Sequence, residues 1–176
     1  MKIFKFRNLM ILLFSLTLIV AFGMTFPQEP EKIKVAGEHK VAYTVREEVE
    51  VGDAEGHIIY LTKMEGTNAS KGEVTFMDGA KVINTGFADY VKGNGKHWGY
   101  SIMMLNGDMI ISKYKGETTT KVSEEGETDT TLNGKFEMIK GTGKYENIEG
   151  GGTYKSKVIA EKEVVTQWEG EYFIKK

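Results

Sequence analysis

The stretch that decides the fold lies near the middle of the chain, where residues 97–114 read HWGYSIMMLNGDMIISKY. Asn106 and Gly107 separate two alternating apolar runs, which is the strongest short signal for a β-hairpin, because a type I′ turn needs positive φ at both central residues. A two-residue loop also fixes the register of the two strands. The predicted pairs are Met104 with Met109, Met103 with Ile110, Ile102 with Ile111, and Ser101 with Ser112.

Both faces of this hairpin are largely apolar. One face carries Trp98, Tyr100, Ile102, Met104, Met109 and Ile111, and the other carries Ser101, Met103, Leu105, Ile110 and Tyr114. A sheet with one face in water would alternate more strictly between apolar and polar residues. We therefore expect either a second layer over the hairpin, or a cavity on one face and a partner subunit on the other.

The chain beyond Lys32 repeats the same period-two alternation, with Gly or Asn at intervals of 8–14 residues. This pattern is typical of an all-β meander, sandwich or barrel. The ten candidate segments are 41–51, 56–65, 72–77, 80–91, 97–105, 108–115, 118–123, 128–139, 152–160 and 163–174. We expect the shortest to merge, which leaves eight or nine strands in one domain over residues 33–176. The last segment is half apolar and is expected to close the structure against an early strand.

The amino-acid composition excludes several classes of function. The 176 residues include 21 Gly and 2 Pro, both of them before the first predicted strand, and no Cys. The absence of cysteine excludes disulfides, thiolate metal sites and thiol nucleophiles. A net charge of −2 argues against a nucleic-acid partner, which would normally require a basic excess. No motif for a cofactor is present, and we predict none.

The N-terminus has the form of an export signal. Lys2, Lys5 and Arg7 precede a 14-residue apolar run, and small residues at Ala21 and Gly23 follow it. This order describes a secretory signal peptide over residues 1–23, followed by a linker over residues 24–32. The alternative is an uncleaved membrane anchor, since ~20 apolar residues can span a bilayer. Both alternatives place the barrel domain outside the cytoplasm, secreted or periplasmic.

A glycine-rich motif follows the eighth predicted segment. Residues 134–150 read GKFEMIKGTGKYENIEG, with Gly141, Thr142 and Gly143 at a strand end and Tyr145 and Gly150 beyond them. The glycines permit backbone angles closed to other residues, Thr142 can bond back to the chain, and Tyr145 can anchor the loop on the core. No helix and no GKS/T sequence follows, so a phosphate-binding loop is disfavoured.

This motif resembles the late-barrel motif of the allene oxide cyclase and dirigent superfamily. The resemblance implies an antiparallel eight-stranded barrel with an apolar interior, assembled as a homo-oligomer, either a trimer or a dimer. It also implies hydrophobic small-molecule ligands, which are oxylipins for the cyclases and phenolic radicals for the dirigent proteins. The catalytic residues of those proteins cannot be matched to positions in this sequence.

Several residues are candidates for a ligand site. Asp89 shares a strand face with apolar neighbours, as does His57, and such polar groups are either buried and paired or located at a cavity mouth. We hypothesise that His57, Asp89, Trp98 and Tyr100, with Met104 on the same face, line a central cavity. The alternative is that they are core or rim residues without a ligand.

The sequence contains no residue pattern typical of a metal site or a catalytic site. His39, His57 and His97 lie on different segments, and the methionines near His97 are better explained as core filler than as copper ligands. Three functions remain: an exported barrel that binds a small hydrophobic ligand, a cofactor-free isomerase or cyclase that uses one carboxylate, and a structural envelope module without a ligand.

Overall fold

The computed structural model describes residues 30–175, and its eight antiparallel strands form a closed barrel. The strands are β1 (Ile33–Glu50), β2 (His57–Ser70), β3 (Lys81–Val91), β4 (Asn94–Leu105), β5 (Asp108–Val122), β6 (Thr128–Gly141), β7 (Ile148–Ala160) and β8 (Glu163–Ile174). The predicted signal segment and most of the predicted linker lie outside the described residues. Within the described range, no helix is long and apolar enough to cross a membrane.

The predicted hairpin is confirmed as β4 and β5. Asn106 and Gly107 have φ angles of 52° and 90°, which are the positive values that the turn requires. The register is also as predicted, from Met104 opposite Met109 to Ser101 opposite Ser112. The sequence of the turn alone therefore sets which residues share each face of β4.

The barrel closes because β8 pairs with β1, from Ile33 opposite Tyr172 to Ala42 opposite Glu163. The predicted closure of the last strand against an early one is confirmed, and the strand number is the lower of the two expected. The predicted segments 108–115 and 118–123 form the single strand β5.

The predicted strand at residues 72–77 is wrong, because this segment belongs to the long β2–β3 connection that closes one end of the barrel. Phe76 is fully buried there and packs against the rings of Tyr145 and Trp168, at centroid distances of 5.4 and 5.9 Å. The Asn68 amide donates to the carbonyls of Phe76 and Met77, at 3.1 and 2.8 Å, and accepts from Trp168 Nε1 at 3.1 Å. These contacts form the floor of the barrel.

The glycine-rich motif lies beside this floor. Thr142 exchanges two hydrogen bonds with the backbone of Met109, through its own N–H at 2.9 Å and its hydroxyl at 3.0 Å. Gly143 has a φ of 60° and begins a single 3₁₀ turn that ends at Tyr145. Tyr145 and Ile148 are buried in the core, so the β6–β7 connection is fixed against the closed end.

Candidate functional site

The interior of the barrel contains a cavity of about 410 Å³ above the floor. Its lining extends from Trp168 at the floor to Thr128 and Glu161, which are exposed at the β5–β6 and β7–β8 turns. The cavity therefore opens at the end opposite the floor. Its volume falls in the range of small-molecule sites, ~300–1,000 Å³.

The wall changes in character between the floor and the mouth. Large apolar side chains, among them Met103, Phe136 and Met138, line the inner part near Trp168. Threonine hydroxyls line the part near the mouth, at positions 118, 120, 128 and 130. The cavity can thus enclose an apolar body while offering hydrogen bonds along one side.

Four of the lining side chains form a continuous chain of hydrogen bonds. Tyr90 OH lies 2.6 Å from Thr118 Oγ1, which lies 2.9 Å from His97 Nδ1. The other ring nitrogen, His97 Nε2, lies 2.5 Å from Tyr154 OH. We call Tyr90, Thr118, His97 and Tyr154 the relay chain. It runs across four strands, from β3 through β4 and β5 to β7.

Burial keeps the relay chain uncharged. It lowers the pKa of His97 to about 4 and raises the pKa of Tyr90 to about 12. Burial also raises the pKa of Tyr154, with smaller contributions from Tyr114 and Tyr90. At neutral pH the imidazole and both phenols are therefore neutral.

A β-bulge places the one Lys or Arg side chain among the described cavity residues. The register of β1 against β2 shifts between Tyr43 and Val45, so that Thr44 is an extra residue. The inserted residue turns Arg46 to the same side as Tyr43. The guanidinium lies over the rings of Tyr60 and Tyr43, 5.0 and 5.9 Å from their centroids, and Nη2 bonds the carboxylate of Glu48 at 3.1 Å.

Three other lining residues carry buried polar atoms without a hydrogen-bond partner among the described residues. They are His39 Nε2, Asn84 Oδ1 and Ser101 Oγ. Burial lowers the pKa of His39 to about 4, so this imidazole is also neutral. Asn84 and Ser101 are directly opposed on β3 and β4. Buried polar atoms of this kind are rare in folded proteins, and they add to the polar character of the wall.

The structure does not bring the five predicted ligand residues to this cavity. His57, Asp89, Trp98, Tyr100 and Met104 are all absent from its lining. Trp98 and Tyr100 are about half exposed on the outer wall, and Trp98 stacks on Phe87. His57 bonds Asp53 and Asp89 at the rim, at 2.5 and 2.8 Å. The cavity lies behind the opposite face of β3 and β4, and a ligand role for these five residues stays a prediction.

The residues that do line the cavity were missed because β4 is apolar on both faces. A signal for the inner face is nevertheless present in glycines of β3, β4 and β6. A Cβ added to Gly134 would lie 2.4 Å from the Tyr154 hydroxyl, and one added to Gly86 or Gly99 would lie 2.3 or 2.7 Å from the Tyr114 hydroxyl. Glycines at these positions thus mark where large interior side chains approach the backbone closely.

Among the described residues, no group of three or more His, Cys, Asp or Glu side chains is arranged to hold a metal ion. His57 contacts Asp53 and Asp89 as hydrogen-bonded ion pairs.

No protein-family model and no curated protein sequence matches this chain. Among solved structures, it is similar to the pterocarpan synthase dirigent protein PsPTS1, at 10% identity and a TM-score of 0.44, over 85% of this chain and 97% of that chain. The pterocarpan synthase dirigent protein GePTS1 matches at 11% identity and a TM-score of 0.45, over 88% and 95% of the two chains. A protein of unknown function from Clostridium acetobutylicum matches at 12% identity and a TM-score of 0.48, over 80% and 98%.

These similarities concern the fold alone. The predicted antiparallel barrel, with eight strands, is confirmed by the strand topology.

Proposed function

We propose that this protein binds one small, largely apolar molecule inside its barrel, outside the cytoplasm. The observation that carries the proposal is the cavity of about 410 Å³, with a closed floor and an open mouth. A structural module without a ligand would gain packing energy by filling this space, because protein interiors are otherwise close-packed. Its location outside the cytoplasm is supported by the cations, apolar run and small residues of the N-terminal sequence.

The cavity favours binding over catalysis by a carboxylate. The isomerase alternative requires an acid that stabilises developing charge within a dry site. Glu161 is the one acid among the described lining residues, and it is exposed at the mouth. The described wall thus offers neutral hydrogen-bonding groups but no buried carboxylate.

A cavity-filling substitution tests the proposal. Ser112 lines the cavity and is buried, while the next residue, Lys113, points outward and is exposed. We expect Ser112→Phe to weaken binding of the uncharged fluorescent probe N-phenyl-1-naphthylamine at least about tenfold, because the new ring occupies the site. The matched control, Lys113→Phe, should bind the probe as the unsubstituted protein does. Fluorescence titration measures both, with circular dichroism to confirm that each variant is folded.

Two outcomes would overturn the proposal. One is the absence of probe binding to the unsubstituted protein, and the other is equal binding to Ser112→Phe in its folded form. Trp98→Ala distinguishes probe binding in the cavity from probe binding on the outer wall. It removes an exposed ring that does not line the cavity, so it should leave binding in the cavity unchanged. Native mass spectrometry of the protein purified from its host would then show the mass of any retained ligand.

A further inference from the structure

The relay chain has a fixed number of protons. Each of its four members, Tyr90, Thr118, neutral His97 and Tyr154, carries one exchangeable proton on its polar atoms. The chain contains three hydrogen bonds, and each bond uses one proton. Whatever the direction of the bonds, one N–H or O–H donor of the four is left without an acceptor inside the chain.

The histidine tautomer and the direction of the Tyr90–Thr118 bond set where this spare donor lies. If Tyr154 donates to Nε2, the Nδ1–H group donates to Thr118. The spare proton is then on Tyr90 when Thr118 donates to Tyr90, and on Thr118 when Tyr90 donates to Thr118. If Nε2–H donates to Tyr154, Thr118 donates to Nδ1 and Tyr90 to Thr118, and the Tyr154 hydroxyl proton is spare. In two of these three arrangements one terminal phenol donates outward while the phenol at the other end does not.

We propose that the cavity ligand carries an uncharged hydrogen-bond acceptor, such as a ketone oxygen, which accepts the spare hydroxyl proton of Tyr90 or Tyr154. This inference rests on the proposed binding function and narrows its ligand class. Both phenols line the cavity, and neither has a second side-chain hydrogen bond among the described residues. A ligand that accepts the spare proton would also fix the direction of the whole chain, and with it the tautomer of His97.

The surroundings of the relay chain favour a neutral acceptor over an ion. The charged side chains among the described lining residues are Arg46 and Glu161. Arg46 lies over Tyr60, whose ring packs against Tyr90 at 5.6 Å, and its guanidinium already bonds the carboxylate of Glu48 at 3.1 Å. Burial opposes protonation of His97, whose pKa it lowers to about 4. A carboxylate beside the relay chain would therefore lose its hydration, and the nearby cation, Arg46, is already paired with Glu48.

Two ligands of similar size test the inference. In 2-acetylnaphthalene a carbonyl oxygen is present, and 2-isopropylnaphthalene replaces it with a methyl group. We expect the ketone to displace bound N-phenyl-1-naphthylamine with an affinity about fivefold higher than the hydrocarbon, after correction for their different solubilities in water, because it alone accepts a hydrogen bond. The ratio of the two affinities should fall to about one in either Tyr90→Phe or Tyr154→Phe, whichever removes the donating phenol.

Matched controls test whether the preference for the ketone comes from the relay chain. Tyr114 lines the cavity but has no hydrogen bond to the relay chain, and Tyr100 lies on the outer wall. Tyr114→Phe and Tyr100→Phe should both keep the fivefold ratio. The ¹⁵N shifts of the His97 ring should show a single tautomer with the ketone bound.

The outcomes separate this inference from the proposed function. If both naphthalenes displace the probe equally well, the acceptor site is wrong while the binding cavity stands. If the preference persists in both Tyr90→Phe and Tyr154→Phe, or is lost in Tyr114→Phe, the phenols of the relay chain are not the donors and the proposal is wrong. If the probe does not bind to the unsubstituted protein, the proposed function fails and this inference fails with it.

Discussion

His57 is held at the rim between two carboxylates, a role that its sequence neighbours do not reveal. Its Nδ1 lies 2.5 Å from Asp53 and its Nε2 lies 2.8 Å from Asp89. Asp53 belongs to the connection after β1, and Asp89 to β3, so the imidazole ties this connection to the barrel wall. Both hydrogen bonds favour the imidazolium, and the bond to Asp53 is the larger cause of the raised pKa of His57.

This arrangement predicts the titration of His57. Its pKa in the folded protein should lie above the ordinary 6.5, and Asp53→Asn should lower it more than Asp89→Asn. Because the folded pKa is raised, the stabilisation is present below pH 6.5 and is lost as the pH rises through the folded value. Two-dimensional NMR of the ring protons during a pH titration measures the shift.

Asp129→Asn is the control for this titration, because Asp129 pairs with Lys157 and does not contact His57. An unchanged His57 pKa in Asp53→Asn would contradict the assignment. Because the carboxylate of Asp53 is exposed, added salt should reduce the pKa shift of His57, since salt screens exposed ion pairs.

At the scale of elements, the bulge in β1 turns the side chain of Arg46 into the mouth of the cavity. Without Thr44 as the extra residue, Arg46 would face outward, since neighbouring residues of a strand alternate between its two faces. Bulges are frequent at the rims of barrels, where they re-aim a side chain. The stacking of Arg46 on Tyr60 follows from this single inserted residue.

The floor gives the clearest prediction for an element. Asn68 is nearly fully buried, and its three side-chain hydrogen bonds connect β2, the β2–β3 connection and Trp168. Asn68→Ala should lower the free energy of unfolding by roughly 2–4 kcal/mol, because it removes the partner of the Phe76 carbonyl and of Trp168 Nε1 and leaves the Met77 carbonyl with only its bond from the Ala80 N–H. It should also speed tryptic cleavage after Lys71, which lies at the exposed start of the connection. Urea denaturation and timed proteolysis measure the two effects.

Asn84→Ala is the matched control for the floor. Asn84 is also buried, on the adjacent strand, but its Oδ1 has no hydrogen-bond partner within residues 30–175. The substitution should destabilise the protein less and leave cleavage after Lys71 unchanged. Equal losses in the two variants would show that the hydrogen bonds of Asn68 do not hold the floor.

The sequence predicts the strands well wherever a local signal controls them. Asn106 and Gly107 determine a turn and a register together, so the β4–β5 hairpin could be predicted residue by residue. Gly116 looks like a break between two strands, yet it lies inside β5, because a glycine there leaves room for the Tyr154 hydroxyl. The segment at 72–77 looks like a strand because polar and apolar residues alternate in it, but Phe76 and Met77 are buried by closing the barrel end while Val74 is exposed.

At the scale of the whole molecule, closure decides which face becomes the interior. The β3 and β4 faces that carry Phe87, Trp98 and Tyr100 are as apolar as an interior face. Closing the sheet places the other face inside, where Tyr154 from β7 reaches His97 on β4, 57 residues away in sequence. Such contacts across the barrel depend on curvature and strand order, which no local pattern contains. The fold could thus be predicted, whereas the position of the cavity could not.

The interior also makes the stability of the barrel depend on pH. His39 and His97 are buried on different strands, and burial lowers the pKa of each to about 4. In the unfolded chain both should titrate near 6.5. Between these values the unfolded state binds more protons than the folded state, so protons favour unfolding. The stabilisation is complete above pH 6.5 and is lost as the pH falls toward 4.

Urea denaturation between pH 4.5 and 7 should therefore show stability falling with acidity, by up to about 1.4 kcal/mol per pH unit for each of the two histidines. His39→Gln and His97→Gln should each flatten this dependence, because glutamine does not titrate. His57→Gln should steepen it only near pH 6.5 and above, since the raised pKa of His57 acts there in the opposite direction. The lowered pKa values of Glu65 and Asp53 add a dependence of the same sign as the buried histidines near pH 4.5, so the slope between about pH 5.5 and 6.5 measures the histidines. If stability still falls with acidity as steeply in the His39→Gln, His97→Gln double variant, the protons are taken up by groups other than these two interior histidines, and the prediction is wrong.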